Sequence, residues 1–153
     1  MVTNTDSAIL HIYEQWHTTI ANKNLEGLMA LYAEDAILET PLIVVTLPHK
    51  GDGILLGKPA IREFFDAGPR KLQNSLGRWY RTGTFFSNGQ QLIWEYPRET
   101  PEGDQVDLVE EMDVKDGLIS HHRVYWGWVG FKSLVAAANA IPSVGAGAGT
   151  DAD

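Results

Sequence analysis

Residues 105 to 128, QVDLVEEMDVKDGLISHHRVYWGW, leave this chain few options. Read with a period of two, Val106, Leu108, Glu110, Met112 and Val114 share one face, and Asp107, Val109, Glu111 and Asp113 share the other. Lys115-Asp116-Gly117 then supplies a short Asp-Gly turn of the kind that joins antiparallel strands, and a run rich in aromatic and β-branched residues follows. The stretch is predicted to be a β-hairpin. On its second strand Leu118, Ser120, His122, Val124, Trp126 and Trp128 share one face, while Ile119, His121, Arg123 and Tyr125 take the other. Each strand therefore sets a titratable side chain among apolar neighbours, Glu110 on the first and His122 on the second. Burying a carboxylate without a partner costs several kcal/mol, so the pattern points to a partly solvated pocket.

The rest of the chain supplies helices for that hairpin to pack against. Asp6 or Ser7 can cap a helix with apolar positions Ile9, Ile12, Tyr13, Trp16 and Ile20, running to about Ala21. Asn22-Lys23-Asn24 interrupts it, and LEGLMALYAED reads as a second helix burying Leu25, Leu28, Leu31 and Tyr32, with Asp35 capping or ending it. Residues 36–40 read as a strand stopped by Pro41, which cannot donate to a ladder. Residues 42–57 read as a long irregular segment whose LIVVTL is a short strand or a lid over a pocket. Lys58-Pro59 opens a third helix that ends at Gly68-Pro69. GRWYRTGTFFS, Asn88-Gly89 and QQLIWEY form a further hairpin, and the turn from Arg98 to Asp104 completes a four-stranded meander. GFKSLVAAANA is a last helix packing Phe131, Leu134 and Val135. Residues 142–153 hold only Val144 as an anchor and are expected to be a disordered tail, leaving 1–141 as a single domain.

Composition narrows the function. With 153 residues and 44% hydrophobic content the chain can build one real core. Twelve basic residues against 20 acidic ones give a net charge of −8, with no basic face, which argues against nucleic acid and anionic membranes as partners. Cysteine is absent, which removes disulfides, thiolate catalysis and cysteine metal sites. No two of the five histidines have the i,i+4 spacing of a helical ligand pair, so no metal is expected. His17 and His121 sit beside apolar positions rather than on them and read as solvated. The N-terminus lacks a basic n-region, and no apolar run approaches the roughly 20 residues of a membrane span, so the expected compartment is the cytoplasm.

The element order gives the α+β class, with helices laid on one side of a curved sheet. WHTTIANKNLEGLMALYAEDAILETPL, then GKPAIREFF, then DGLISHHRVYWGW resemble the nuclear transport factor 2-like superfamily over roughly residues 8 to 138. They resemble most its SnoaL-like branch, which includes ketosteroid isomerases, polyketide cyclases, limonene epoxide hydrolases and scytalone dehydratase. The resemblance implies a conical barrel, a curved and mostly antiparallel sheet wrapped around N-terminal helices with an apolar pocket at the wide end. Set against the ketosteroid isomerases, the general-base Asp falls on Thr40, the oxyanion-donating Tyr on Trp16 and the protonated Asp on Glu110. A threonine cannot act as a carboxylate base, so a steroid isomerase is not implied. The final-strand Asp of the epoxide hydrolases falls on Val124, which leaves that triad incomplete too.

These readings converge on a small-molecule lyase, isomerase or cyclase using acid–base chemistry without a cofactor. Glu110 and His122 would share a proton as the catalytic pair. Thr40, Tyr32 and Trp16 would orient a small apolar or polycyclic ligand in a pocket also lined by Trp94, Val124 and Trp126. The competing readings make Glu110 a structural ion pair with Arg78, Arg81 or Arg123, and His122 the partner of a buried carbonyl or a residue of the pocket rim. The chain would then be a non-catalytic ligand-binding or dimerisation module; an epoxide-hydrolase-like hydrolase is the third possibility. A homodimer is expected through the outer face of the final hairpin, at Ile119, Tyr125 and Val109.

Overall fold

Helix α1, Asn4–Ala21, starts before the expected cap and ends where Lys23 turns the chain with a positive φ of 54°. The computed structural model describes residues 4–71, 84–96, 99–100, 103–104 and 106–141. Asn24 caps α2, Leu25–Met29, by accepting the Gly27 N–H at 3.0 Å. Strand β1, Tyr32–Glu39, follows directly. It takes Tyr32 and Asp35 out of the helix expected for them, because Tyr32, Ala36 and Leu38 bury one face at the strand's alternation.

The segment after Pro41 is neither strand nor open loop. LIVVT forms α3, Leu42–Thr46, burying Ile43 and Thr46. Its two valines favour a strand, so packing on the neighbouring helices has overridden local preference. A 3-10 turn, Pro48–Lys50, leads to β2, Ile54–Leu56, which pairs antiparallel with β1. Helix α4, Lys58–Lys71, carries through Gly68-Pro69 rather than stopping there. Strands β3, Phe86–Ser87, and β4, Gln91–Glu95, flank the Asn88-Gly89 turn, in which Gly89 has a φ of 89°. A two-stranded ribbon, β5 (Glu99–Thr100) and β6 (Gly103–Asp104), precedes the main hairpin of β7, Leu108–Lys115, and β8, Leu118–Trp126. Most of the strand expected at 77–87, with Arg78 and Arg81, and the tail from 142 lie outside the described residues.

The six main strands are ordered β2-β1-β8-β7-β4-β3. The expected meander holds across β3, β4, β7 and β8, and β1 joins it by running parallel to β8. The result is an α+β fold whose sheet, among the described residues, runs from β2 to β3 without closing on itself. Its inner face meets α1 through Ile9, Ile12, Tyr13 and Trp16, and these bury against Leu38, Leu92, Trp94 and Met112 in one core. No helix among the described residues is long and apolar enough to cross a membrane.

Two irregularities reset which residues face inward. Asp113 pairs with His121 but Val114 pairs with Ile119, so Ser120 is a bulge and its hydroxyl bonds the Asp113 carbonyl at 3.1 Å. The bulge turns Ile119 into the core, where it is fully buried, and corrects its expected place on the outer face. Across β1 and β8, four residues of β1, 33 to 36, stand against Ser120 alone. The last helix, α5, Trp128–Asn139, buries Leu134, whereas Phe131 and Val135, expected to pack, stay exposed along with Trp128.

Candidate functional site

Strands β1, β4, β7 and β8 and helix α1 each send one side chain to the same point in the core. Glu110 (4% exposed) and His122 (1% exposed) come from the main hairpin. Glu110 stands directly opposite Val124, and His122 opposite Met112, so the two are diagonal neighbours rather than facing partners. Diagonal positions lie about 7–8 Å apart, within reach of long side chains. The imidazole spans the gap, with its Nε2 2.6 Å from Glu110 Oε2. Glu110 is therefore held by a histidine. Arg123 is engaged on the opposite face of the sheet by Asp113 at 2.8 Å and Glu111 at 3.5 Å, which excludes it as the partner.

The pair extends into a chain of donors. Tyr32 Oη lies 2.8 Å from His122 Nδ1, and Trp16 Nε1 donates to Tyr32 Oη at 3.4 Å. An indole N–H can only donate, and a carboxylate can only accept. With Glu110 as a carboxylate and His122 neutral, the bonds run one way: Trp16 donates to Tyr32, Tyr32 to His122 Nδ1, and His122 Nε2–H to Glu110. Burial pushes the Tyr32 hydroxyl far above the ordinary tyrosine range, more than the Trp16 bond pulls it down, so it keeps its proton. Trp16 packs against the rings of Trp94 and His122 at 5.2 and 6.1 Å, and Trp94 sits directly across from Glu110 in the β4–β7 register.

Thr40, Val124 and Trp126 form a second group, at the ends of β1 and β8. The Thr40 hydroxyl accepts the Trp126 indole N–H at 3.1 Å and the Leu42 N–H at 3.3 Å. Thr40 and Val124 line a cavity of about 400 Å³ with Glu39, Val44, Ile54 and Tyr125. Another cavity, of about 250 Å³, lies between α1, α2 and α4, lined by Ile20, Leu25, Leu28 and Phe65. Glu110 and His122 line neither. Of the site residues expected from sequence, five thus meet in the core and three gather at the strand ends.

Two histidines expected in solvent are not there. His121 is half-buried on the outer face, where it donates to Glu39 at 2.8 Å and accepts from Arg123 at 2.8 Å. His17 is buried between the rings of Tyr13, Trp16 and Trp94, at 4.4, 5.6 and 5.0 Å. Its Nδ1 donates to the Tyr13 carbonyl at 2.7 Å. Burial pulls its pKa below the ordinary histidine value, against the Tyr13 bond and the charge of Glu110. The signal was in the sequence, since Ile9, Tyr13 and His17 recur every four residues on one helix face.

A model of the SnoaL-like domain matches residues 13–122, which takes in both ends of the buried chain of donors. The protein belongs to the SnoaL-like domain family. Solved structures of the nuclear transport factor 2-like superfamily share its fold. A candidate isomerase from Bacillus subtilis is 18% identical, with a TM-score of 0.63 over 88% of this chain and 97% of that one. An NTF2-like protein from Anabaena variabilis is 19% identical, with a TM-score of 0.60 over 83% and 92%. TerC, co-crystallised with polyporic acid, is 16% identical, with a TM-score of 0.58 over 84% and 98%. Candidate ketosteroid isomerases and polyketide cyclases also share this SnoaL-like fold. Among curated proteins, none matches the sequence.

Proposed function

We propose that this SnoaL-like protein is a small-molecule lyase, isomerase or cyclase that moves protons through Glu110, His122 and Tyr32. The observation that carries the reading is the buried donor chain from Trp16 to Glu110. In it the Glu110 carboxylate is stabilised by one N–H, from His122, and among the described residues its second oxygen accepts none. That second oxygen takes a proton from an acidic C–H or O–H of the ligand. Tyr32, whose hydroxyl burial holds above the ordinary tyrosine range, donates to His122 Nδ1 and keeps His122 in the tautomer that donates to Glu110. Trp94, Thr40, Val124 and Trp126 supply the apolar walls and orienting groups. A small polycyclic or aromatic ligand suits such walls, and the polyporic acid bound to TerC is of that kind. The reading requires no cofactor, and we propose with it a cytoplasmic homodimer.

The enclosure of Glu110 and His122 favours a second reading, a binding module whose buried pair is structural. Turnover separates the two. Enolisable and hydroxylated polycyclic compounds should be converted with a pH-dependent rate. Glu110→Gln and His122→Ala should each lower that rate by about 10² to 10⁴, and the double change by little more, because the two act as one unit. Compounds that bind without reacting at any pH would establish the binding module instead.

A further inference from the structure

Lys23 follows α1 in the left-handed region, with a φ of 54°. The Asn24 N–H bonds the Thr19 carbonyl at 2.8 Å and the Lys23 N–H bonds the Ile20 carbonyl at 3.2 Å. These paired bonds close a helix end whose left-handed residue is usually glycine or asparagine. A lysine is disfavoured there by its own Cβ, and here it holds the place with an asparagine on either side. Its ammonium makes no ion pair among the described residues, whereas Lys50, Lys58, Arg62 and Arg123 each hold a carboxylate. Lys23 instead lines the cavity of about 250 Å³ between α1, α2 and α4. Ile20, Leu25, Leu28 and Phe65 make the walls of that cavity apolar, and Lys23, Asn24 and Asp66 are exposed at its mouth.

We propose that this cavity is a second binding site, for a small carboxylate with an apolar end. The carboxylate lies on the Lys23 ammonium, and the ring or chain behind it lies against Ile20, Leu25 and Phe65. Drug-sized ligands occupy roughly 300–1,000 Å³, so a cavity of about 250 Å³ fits a single ring with a short arm. The charges fix the head group. One lysine, with Asp66 on the facing helix and a net charge of −8 on the chain, holds a monoanion better than a phosphate carrying nearly two charges. Asp66 opposes any anion, so the apolar end supplies most of the binding. The site is distinct from the core around Glu110. Phe65 stands between the two, lining the cavity while its ring lies 6.1 Å from that of Tyr32. Binding there holds whether or not Glu110 and His122 move protons for a ligand of their own.

The test titrates the whole protein with 3-phenylpropanoate and with its uncharged amide, 3-phenylpropanamide, followed by ¹H–¹⁵N spectra. Both probes should shift the backbone amides of Ile20, Leu25 and Phe65 saturably. The carboxylate should bind about threefold more tightly, the size of a partly exposed ion pair. Lys23→Asn sets a residue suited to the left-handed position in place of the lysine, so the fold is kept and only the charge is lost. The preference for the carboxylate should then fall to one or below. Asp66→Asn should raise it, and Leu25→Ala should weaken both probes alike. Amides of the cavity that stay still at millimolar probe, shifts confined to residues around His122, or a preference that survives Lys23→Asn would overturn the assignment.

Discussion

His17 shows how one side chain sets a pH window for the whole protein. Burial lowers its pKa, so in the folded state it stays neutral at a pH where the unfolded chain would already bind a proton. The unfolded state therefore holds more protons below the ordinary histidine value of about 6.5, and stability falls as the pH drops through it. The melting temperature should decline between about pH 7 and pH 5, and His17→Phe should make that decline shallower; equal slopes in the two proteins would rule His17 out. Asp113 behaves in the same sense but in another window. Burial raises its pKa, yet hydrogen bonds from Arg123 and Gln91 outweigh that and hold it below the usual value. Its contribution is present above the ordinary aspartate range and is lost only in stronger acid.

Between elements, the closest fit is where β8 turns into α5. The Gly127 N–H donates to the Asp107 carbonyl at 2.8 Å, and the Asp107 carboxylate accepts the Gly130 N–H at 2.9 Å, closing the first turn of α5 from outside the helix. A Cβ at Gly127 would fall on that carboxylate. Gly127→Ala should cost more than about 2 kcal/mol, read as a fall in the denaturation midpoint without a change in slope. The strands around this junction also show what a sequence can reveal. Glu110, Met112 and His122 could be placed inward because alternation runs unbroken through them. Ile119 could not, because the Ser120 bulge shifts the register by one and leaves no compositional mark. Tyr32 was given to a helix because LYAED suits either period, and the choice is made by β8, some ninety residues away, which supplies its ladder partner. The link from Tyr32 to His122 was illegible for the same reason. Trp94 could be named as an inward residue because burial alternates along its strand.

At the scale of the molecule, the outer sheet face differs from the one expected. Ile119 has left it, and Glu39, His121, Arg123, Asp113 and Glu111 form a ladder of polar and charged side chains across it. Tyr125, 53% exposed, remains at its edge beside Val44 and Ile54. We propose that this mixed surface carries the homodimer, with Tyr125 in the contact. Sedimentation should show a dimer at micromolar concentration and a monomer for Tyr125→Glu; a monomeric wild type would end the proposal.

The parallel pairing of β1 with β8 has a kinetic side. Tyr32 and His122 are separated by 90 residues of chain, whereas His122 and Glu110 are separated by 12. A hairpin closes in microseconds, but a contact spanning most of the chain must wait until the intervening elements have paid their loop-closure entropy. The carboxylate–imidazole half of the core can thus form early and locally. The tyrosine that donates to the imidazole should join later, when β1 pairs with β8.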